Sequence, residues 1–129
     1  MYKELVICII IVISIFMIDF ATQKYTKKGA DEITSKLEEL KGNFQKADVN
    51  KDEVSKKMDE VYEGWLKFHD VSALYIEHTE LEKVETNFVS CKSFMEEENY
   101  DMAINELDKT TFGLKHISDK YAFSLINIF

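Results

Sequence analysis

The sequence has no proline and no arginine, only four glycines, and only two cysteines among 129 residues. Without proline and with so little glycine, the tight turns that join β-strands lack their usual residues. Neither a turn-rich β architecture nor a disordered tail is favoured, and the chain is predicted to be helical. Without arginine there is no bidentate fork for phosphates or base edges, and a net charge of −8 repels a polyanion, so nucleic acid is not an expected partner. Cys8 lies in an apolar run and Cys91 far along the chain, which leaves no plausible intrachain disulfide and no thiolate metal site. Cys91 falls on an apolar stripe and reads as a small buried hydrophobe. Also missing are a phosphate-binding glycine loop, a nucleophile elbow and the HExxH pair, so catalysis has no support and no cofactor is implied.

What the chain does have is one long greasy stretch. Residues 5–18, LVICIIIVISIFMI, run without a charge. As a helix they span roughly 21 Å, and Tyr2 on one side with Phe20 and Tyr25 on the other extends the span toward the interfaces of a bilayer. A cleaved signal peptide ending at Ala21 would need a small residue two positions earlier, where Asp19 stands. Residues 1–22 are therefore predicted to be a retained membrane anchor, contacting lipid through residues 5–20, and residues 23–129 an acidic helical bundle. Lys24, Lys27 and Lys28 after the run would hold the bundle in the cytoplasm by the positive-inside rule, whereas the short N-terminal tail has the form of a signal-anchor. The extracytoplasmic placement is the reading adopted.

Beyond the anchor, apolar residues recur in steps of three and four. Ala30, Ile33, Leu37, Leu40, Phe44 and Ala47 define a first amphipathic helix, which can be continuous with the anchor and should stop near Asp48. Asn50, three before Glu53, can cap a second helix with Val54, Met58, Val61, Tyr62, Trp65 and Phe68 on one face. Asp70 can cap a third, with Leu74, His78, Leu81, Val84, Phe88, Cys91 and Met95 inward, closing at Glu96, Glu97 and Glu98. Asn99 can cap a fourth, with Tyr100, Ala103, Ile104, Leu107, Thr111 and Leu114 inward, broken near Ser118 and resuming to Phe129. The predicted fold is all-α, a transmembrane helix followed by a small antiparallel bundle of two helical hairpins. Residues 48–65 and 97–114 repeat the same pattern of turn, cap and apolar positions at an offset of 49, and Asn99-Tyr100-Asp101-Met102-Ala103 is similar to part of a tetratricopeptide repeat.

Residues 77–108 carry ten acidic side chains against Lys83 and Lys92, best read as a solvated helix face. Asp48, Asn50, Asp52 and Asp59 match four positions of an EF-hand loop, but Glu53 stands where that loop needs glycine. His78, with Glu82 one turn on, and His116 on the last helix form the one alternative metal or small-ligand set, although buried, hydrogen-bonded histidines are the plainer reading. The candidate partner-binding residues are Trp65, the Glu96, Glu97, Glu98 turn, and Phe123, Ile126 and Phe129 of the apolar C-terminal run, which would serve another membrane or envelope protein.

The membrane segment, the Trp65 region, the stretch Ile76-Glu77-His78-Thr79-Glu80-Leu81 followed by Glu85, and the ending from Leu114-Lys115-His116-Ile117 through Ser124-Leu125-Ile126-Asn127-Ile128 together resemble a small bacterial family known as domain of unknown function 4363. That resemblance implies a single-pass helical protein of spore-forming, low-GC Gram-positive bacteria, encoded beside other small membrane proteins and suited to an accessory role. It implies no catalytic residue.

Overall fold

The computed structural model describes residues 1–121, and these form four α-helices. Helix α1 (Tyr2–Phe44) is 43 residues long, roughly 64 Å at the helical rise, and passes without a break from the apolar run into the bundle. Continuity follows from local chemistry. Residues 19–26 contain neither glycine nor proline, Thr22 and Thr26 donate their hydroxyls to the carbonyls of Asp19 and Thr22 at 2.9 and 2.7 Å, and the Gln23 amide donates to the Asp19 carboxylate at 3.0 Å. From Thr26 onward α1 buries one stripe, Thr26, Ala30, Ile33, Leu37, Leu40 and Phe44, in the predicted steps of three and four.

The first helix ends earlier than expected. Ala47 is exposed in the turn, where Phe44 stacks on Tyr100 with ring centroids 5.5 Å apart and Val49, not Ala47, packs against the core. Helix α2 (Lys51–Ser72) is capped as predicted, the Asn50 side chain accepting from the Glu53 N–H at 3.2 Å. It buries Val54, Met58, Val61, Trp65 and Phe68, with Tyr62 half-buried.

Asp70 does not start a helix. Helix α2 runs through it to Ser72, and α3 (His78–Glu96) begins only after a turn in which the Ile76 N–H bonds back to the Ser72 carbonyl at 2.8 Å. The turn places Ile76 in the core and leaves Leu74 85% exposed, the reverse of what an unbroken stripe required. His78, expected among buried residues, is the exposed first residue of α3. From Leu81 to Met95 the predicted stripe is the buried one.

Helix α3 closes in a Schellman motif: the Asn99 N–H bonds to the Phe94 carbonyl, the Glu98 N–H bonds to the Met95 carbonyl, and Glu98 takes the left-handed conformation at φ 61°. Asn99 then caps α4 (Tyr100–Lys120) by accepting from the Met102 N–H at 3.3 Å. Helix α4 continues through Ser118, where a break was expected; its resumption toward Phe129 lies outside the described residues.

The four helices close into an antiparallel bundle in which α1 packs on α2 and α4, and α3 packs on α4 and α2. The α3–α4 pair is the most extensive, with the Cys91 thiol donating to the Ala103 carbonyl at 3.2 Å, and α2–α3 is much sparser. The offset of 49 survives in three dimensions. Asn50 and Asn99 are both N-caps, and Val54, Met58, Val61, Trp65 and Phe68 of α2 correspond to Ala103, Leu107, Thr110, Leu114 and Ile117 of α4, all buried.

Candidate functional site

A polar cluster lies where α2 meets α3. Trp65 has no accessible surface, so its indole N–H needs an acceptor within the protein. Glu85 supplies it. One carboxylate oxygen accepts from the Trp65 indole and the other from the Tyr62 hydroxyl, so a single side chain of α3 bridges two donors one turn apart on α2. Phe88 stacks on Trp65 at 5.7 Å and meets Tyr62 edge-on at 5.8 Å. The hydrogen bond to Glu85, with burial second, pushes the Tyr62 phenol up to about 12. The Glu85 carboxylate thereby latches α3 to α2 across a sparse interface.

A second cluster joins three elements at the end of the bundle nearest the apolar part of α1. The Tyr75 hydroxyl is hydrogen-bonded to Thr26 Oγ1 at 2.6 Å, and both hydroxyls lie within reach of the Thr22 carbonyl, at 3.5 and 2.7 Å. The Tyr121 hydroxyl accepts from the Glu77 N–H at 2.9 Å, and its ring lies edge-on to Tyr75. Lys120 reaches Glu80 at 2.9 Å and Glu77 at 3.4 Å, and His116 approaches the same Glu80 oxygen at 3.4 Å. The α2–α3 turn is thereby fastened both to α1 and to the end of α4.

Between α1 and α2 runs a cleft of about 590 Å³. Gly29 and Gly64 line it, with Phe68 packed directly against Gly29 and open space over Gly64; Ile33 and Val61 complete its apolar lining, and lysines and glutamates line it as well. With both signs of charge on the rim, the cleft selects for no charged ligand.

The family model described as Domain of unknown function (DUF4363) matches residues 20–128. The chain belongs to the DUF4363 family. No curated protein and no solved structure matches it. The DUF4363 match begins where the apolar run ends, so what the family shares is the bundle that carries the clusters above.

Within this DUF4363 bundle the residues singled out from sequence fall apart spatially. Trp65 is fully buried, so it anchors the core and offers no contact surface. Glu96, Glu97 and Glu98 are exposed in the α3–α4 turn, with Glu98 paired to Lys51, at the opposite end from Tyr121. Phe123, Ile126 and Phe129 lie outside the described residues. His78 and His116 are both exposed and use different carboxylates: His78 pairs with Glu82 at 3.2 Å and His116 with Glu80. Asp59 of the EF-hand pattern pairs with Lys92 while Asn50 caps α2. Among the described residues no group of three His, Cys, Asp or Glu side chains is placed to hold a metal ion. Sequence reasoning missed Glu85 and Glu80, whose partners lie on other helices; only the demand of a buried indole for an acceptor hinted at the first.

Proposed function

We propose that this protein is a membrane-anchored, non-catalytic accessory module: α1 crosses the bilayer through residues 5–20, and the bundle is held beside it, on the extracytoplasmic side, to engage another membrane or envelope protein. The observation that carries the reading is the exposure of the apolar run. None of its eighteen-residue core is buried against the rest of the chain, although a core helix of this composition would be. The first twenty residues of α1 correspond to about 30 Å, the thickness of a hydrocarbon core, and a helix satisfies its own backbone there. In water, each such side chain would forfeit about 1.5–3 kcal/mol of burial. Phe112, 74% exposed midway along α4, is the candidate contact for the partner.

Alkaline extraction of membranes followed by mass determination of the retained chain tests the anchor. The expected result is a membrane-bound chain that keeps residues 2–21; a soluble chain shortened at its start refutes it. A photo-cross-linker at position 112 should give one discrete adduct with a membrane or envelope protein, and an adduct with nothing but this chain would contradict the partner. A cysteine introduced at Lys46 should react with an impermeant maleimide in intact cells if the bundle is extracytoplasmic.

A further inference from the structure

We propose that the α2–α3 turn is a second membrane contact, with Leu74 and Val71 seated in the interfacial layer of the bilayer that α1 enters; this rests on reading α1 as an anchor. Leu74 is 85% exposed in a turn whose core contact is already supplied by Ile76, and Val71, at the end of α2, is 45% exposed. Leu74 is almost wholly free of the packing of the bundle.

Their height above the bilayer is set by the hydrogen bond that fixes the turn. The Tyr75 hydroxyl is hydrogen-bonded to Thr26, and the segment from Thr22 to Thr26 lies only two to six residues beyond Phe20, roughly 3–9 Å along the helix axis. The polar layer of one leaflet is about 5–7 Å deep, half the difference between the full bilayer and its hydrocarbon core. A leucine side chain on that turn therefore reaches the layer. Because α1 is helical through this region, no hinge lets the turn drift away.

The surroundings match a lipid surface in charge as well. Exposed Lys24, Lys27 and Lys28 sit at the same level as the turn, where anionic headgroups attract lysine and its stem can lie along apolar surface. Of the acids at this end, Glu77 and Glu80 are answered by Lys120, while Asp70 lies near Tyr25. Helix α4 also finishes here, with the Tyr121 ring edge-on to Tyr75.

The test uses the full chain in vesicles of phosphatidylcholine and phosphatidylglycerol. An environment-sensitive dye is attached to L74C or, as a control for the dye's own affinity, to K46C, in the turn past the far end of α1 and roughly 33 Å from Thr22, both in a Cys8→Ser background. A third sample carries the dye on native Cys8 in the anchor. Lipids spin-labelled near the headgroup should quench the dye at position 74 about threefold more than at position 46, with iodide access reduced to a similar degree. If Cys8 is shielded while position 74 stays as open to iodide as position 46, the turn is not a lipid contact and the anchor reading stands. If the dye on Cys8 is itself open to iodide, the anchor reading falls and this inference falls with it.

Discussion

Replacing Gly29 and Gly64 by alanine, one at a time, should move stability in opposite directions. Both glycines lie inside helices, where alanine is preferred by about 0.8–1.0 kcal/mol. At Gly64 a Cβ would meet nothing within 4 Å, so the full gain should appear, about 0.5–1 kcal/mol of added stability. At Gly29 it would stand 2.4 Å from Phe68 Cδ2 and 2.7 Å from Cε2, where carbon atoms pack at about 3.5–4.0 Å. The ring would have to retreat by more than about 1 Å. It has little room, being 3% exposed, stacked parallel to Tyr25 at 5.8 Å and backed by Trp65 at 5.9 Å. Overpacking of this kind costs about 1–3 kcal/mol, so the net effect of Gly29→Ala is a loss of about 1 kcal/mol. Trp65 is the only tryptophan and is fully buried, so its fluorescence during urea unfolding of the full chain in micelles reports on the bundle without interference from the anchor. The two variants should differ by about 2 kcal/mol, several degrees in Tm for a domain of this size. Equal stabilisation by both substitutions would refute the tight α1–α2 contact at Gly29.

Three further outcomes follow from the same packing. Glu85→Ala leaves the buried Trp65 N–H without an acceptor and should destabilise the bundle by about 2 kcal/mol; in a double-mutant cycle with Trp65→Phe the two losses should be strongly non-additive, and simple additivity would contradict the latch. Glu98→Gly relieves a left-handed residue that costs about 1–2 kcal/mol and gives up only an exposed ion pair with Lys51, so the unfolding midpoint should rise. Because Tyr62 is raised from 10 to about 12, the folded chain keeps a proton that the unfolded chain releases. Its contribution is complete below pH 10 and is lost as pH rises toward 12, a dependence that Tyr62→Phe should flatten in denaturation curves measured across that range.

Helix stripes and caps were legible because each is local. The steps from Ile33 to Phe44 and from Leu81 to Met95 need only a period, and Asn50 and Asn99 need only their own N–H partners. Leu74 and His78 misled because they extend the spacing of the third stripe backward across a turn, and residues 65–80 contain no glycine or proline to mark its place. Asp70 is as compatible with a helix interior near solvent as with a cap, so its identity alone cannot divide two helices. The polar clusters were illegible for a different reason. Glu85 lies 20 residues from Trp65, and Glu80 lies 36 from His116; pairing them requires the register between helices, which periodicity along one helix does not contain.

The continuity of α1 has a consequence for any partner. If α1 crosses the bilayer as proposed, every surface of the bundle sits at a fixed height, because the helix that leaves the membrane is the same one that packs against α2 and α4. Phe112 then lies about 13 Å above the level of Tyr121, nine residues along α4, whereas the Glu96, Glu97, Glu98 turn is at the far end, roughly 30 Å away. A partner with only short loops outside the membrane could reach the first and not the second. A flexible Gly/Ser insertion between Phe20 and Ala21 should therefore keep the bundle folded, with Trp65 fluorescence and its unfolding midpoint unchanged, while abolishing the cross-link at position 112. Retention of that cross-link would mean that the partner extends well into the aqueous phase and that the stiffness of α1 is irrelevant to recognition.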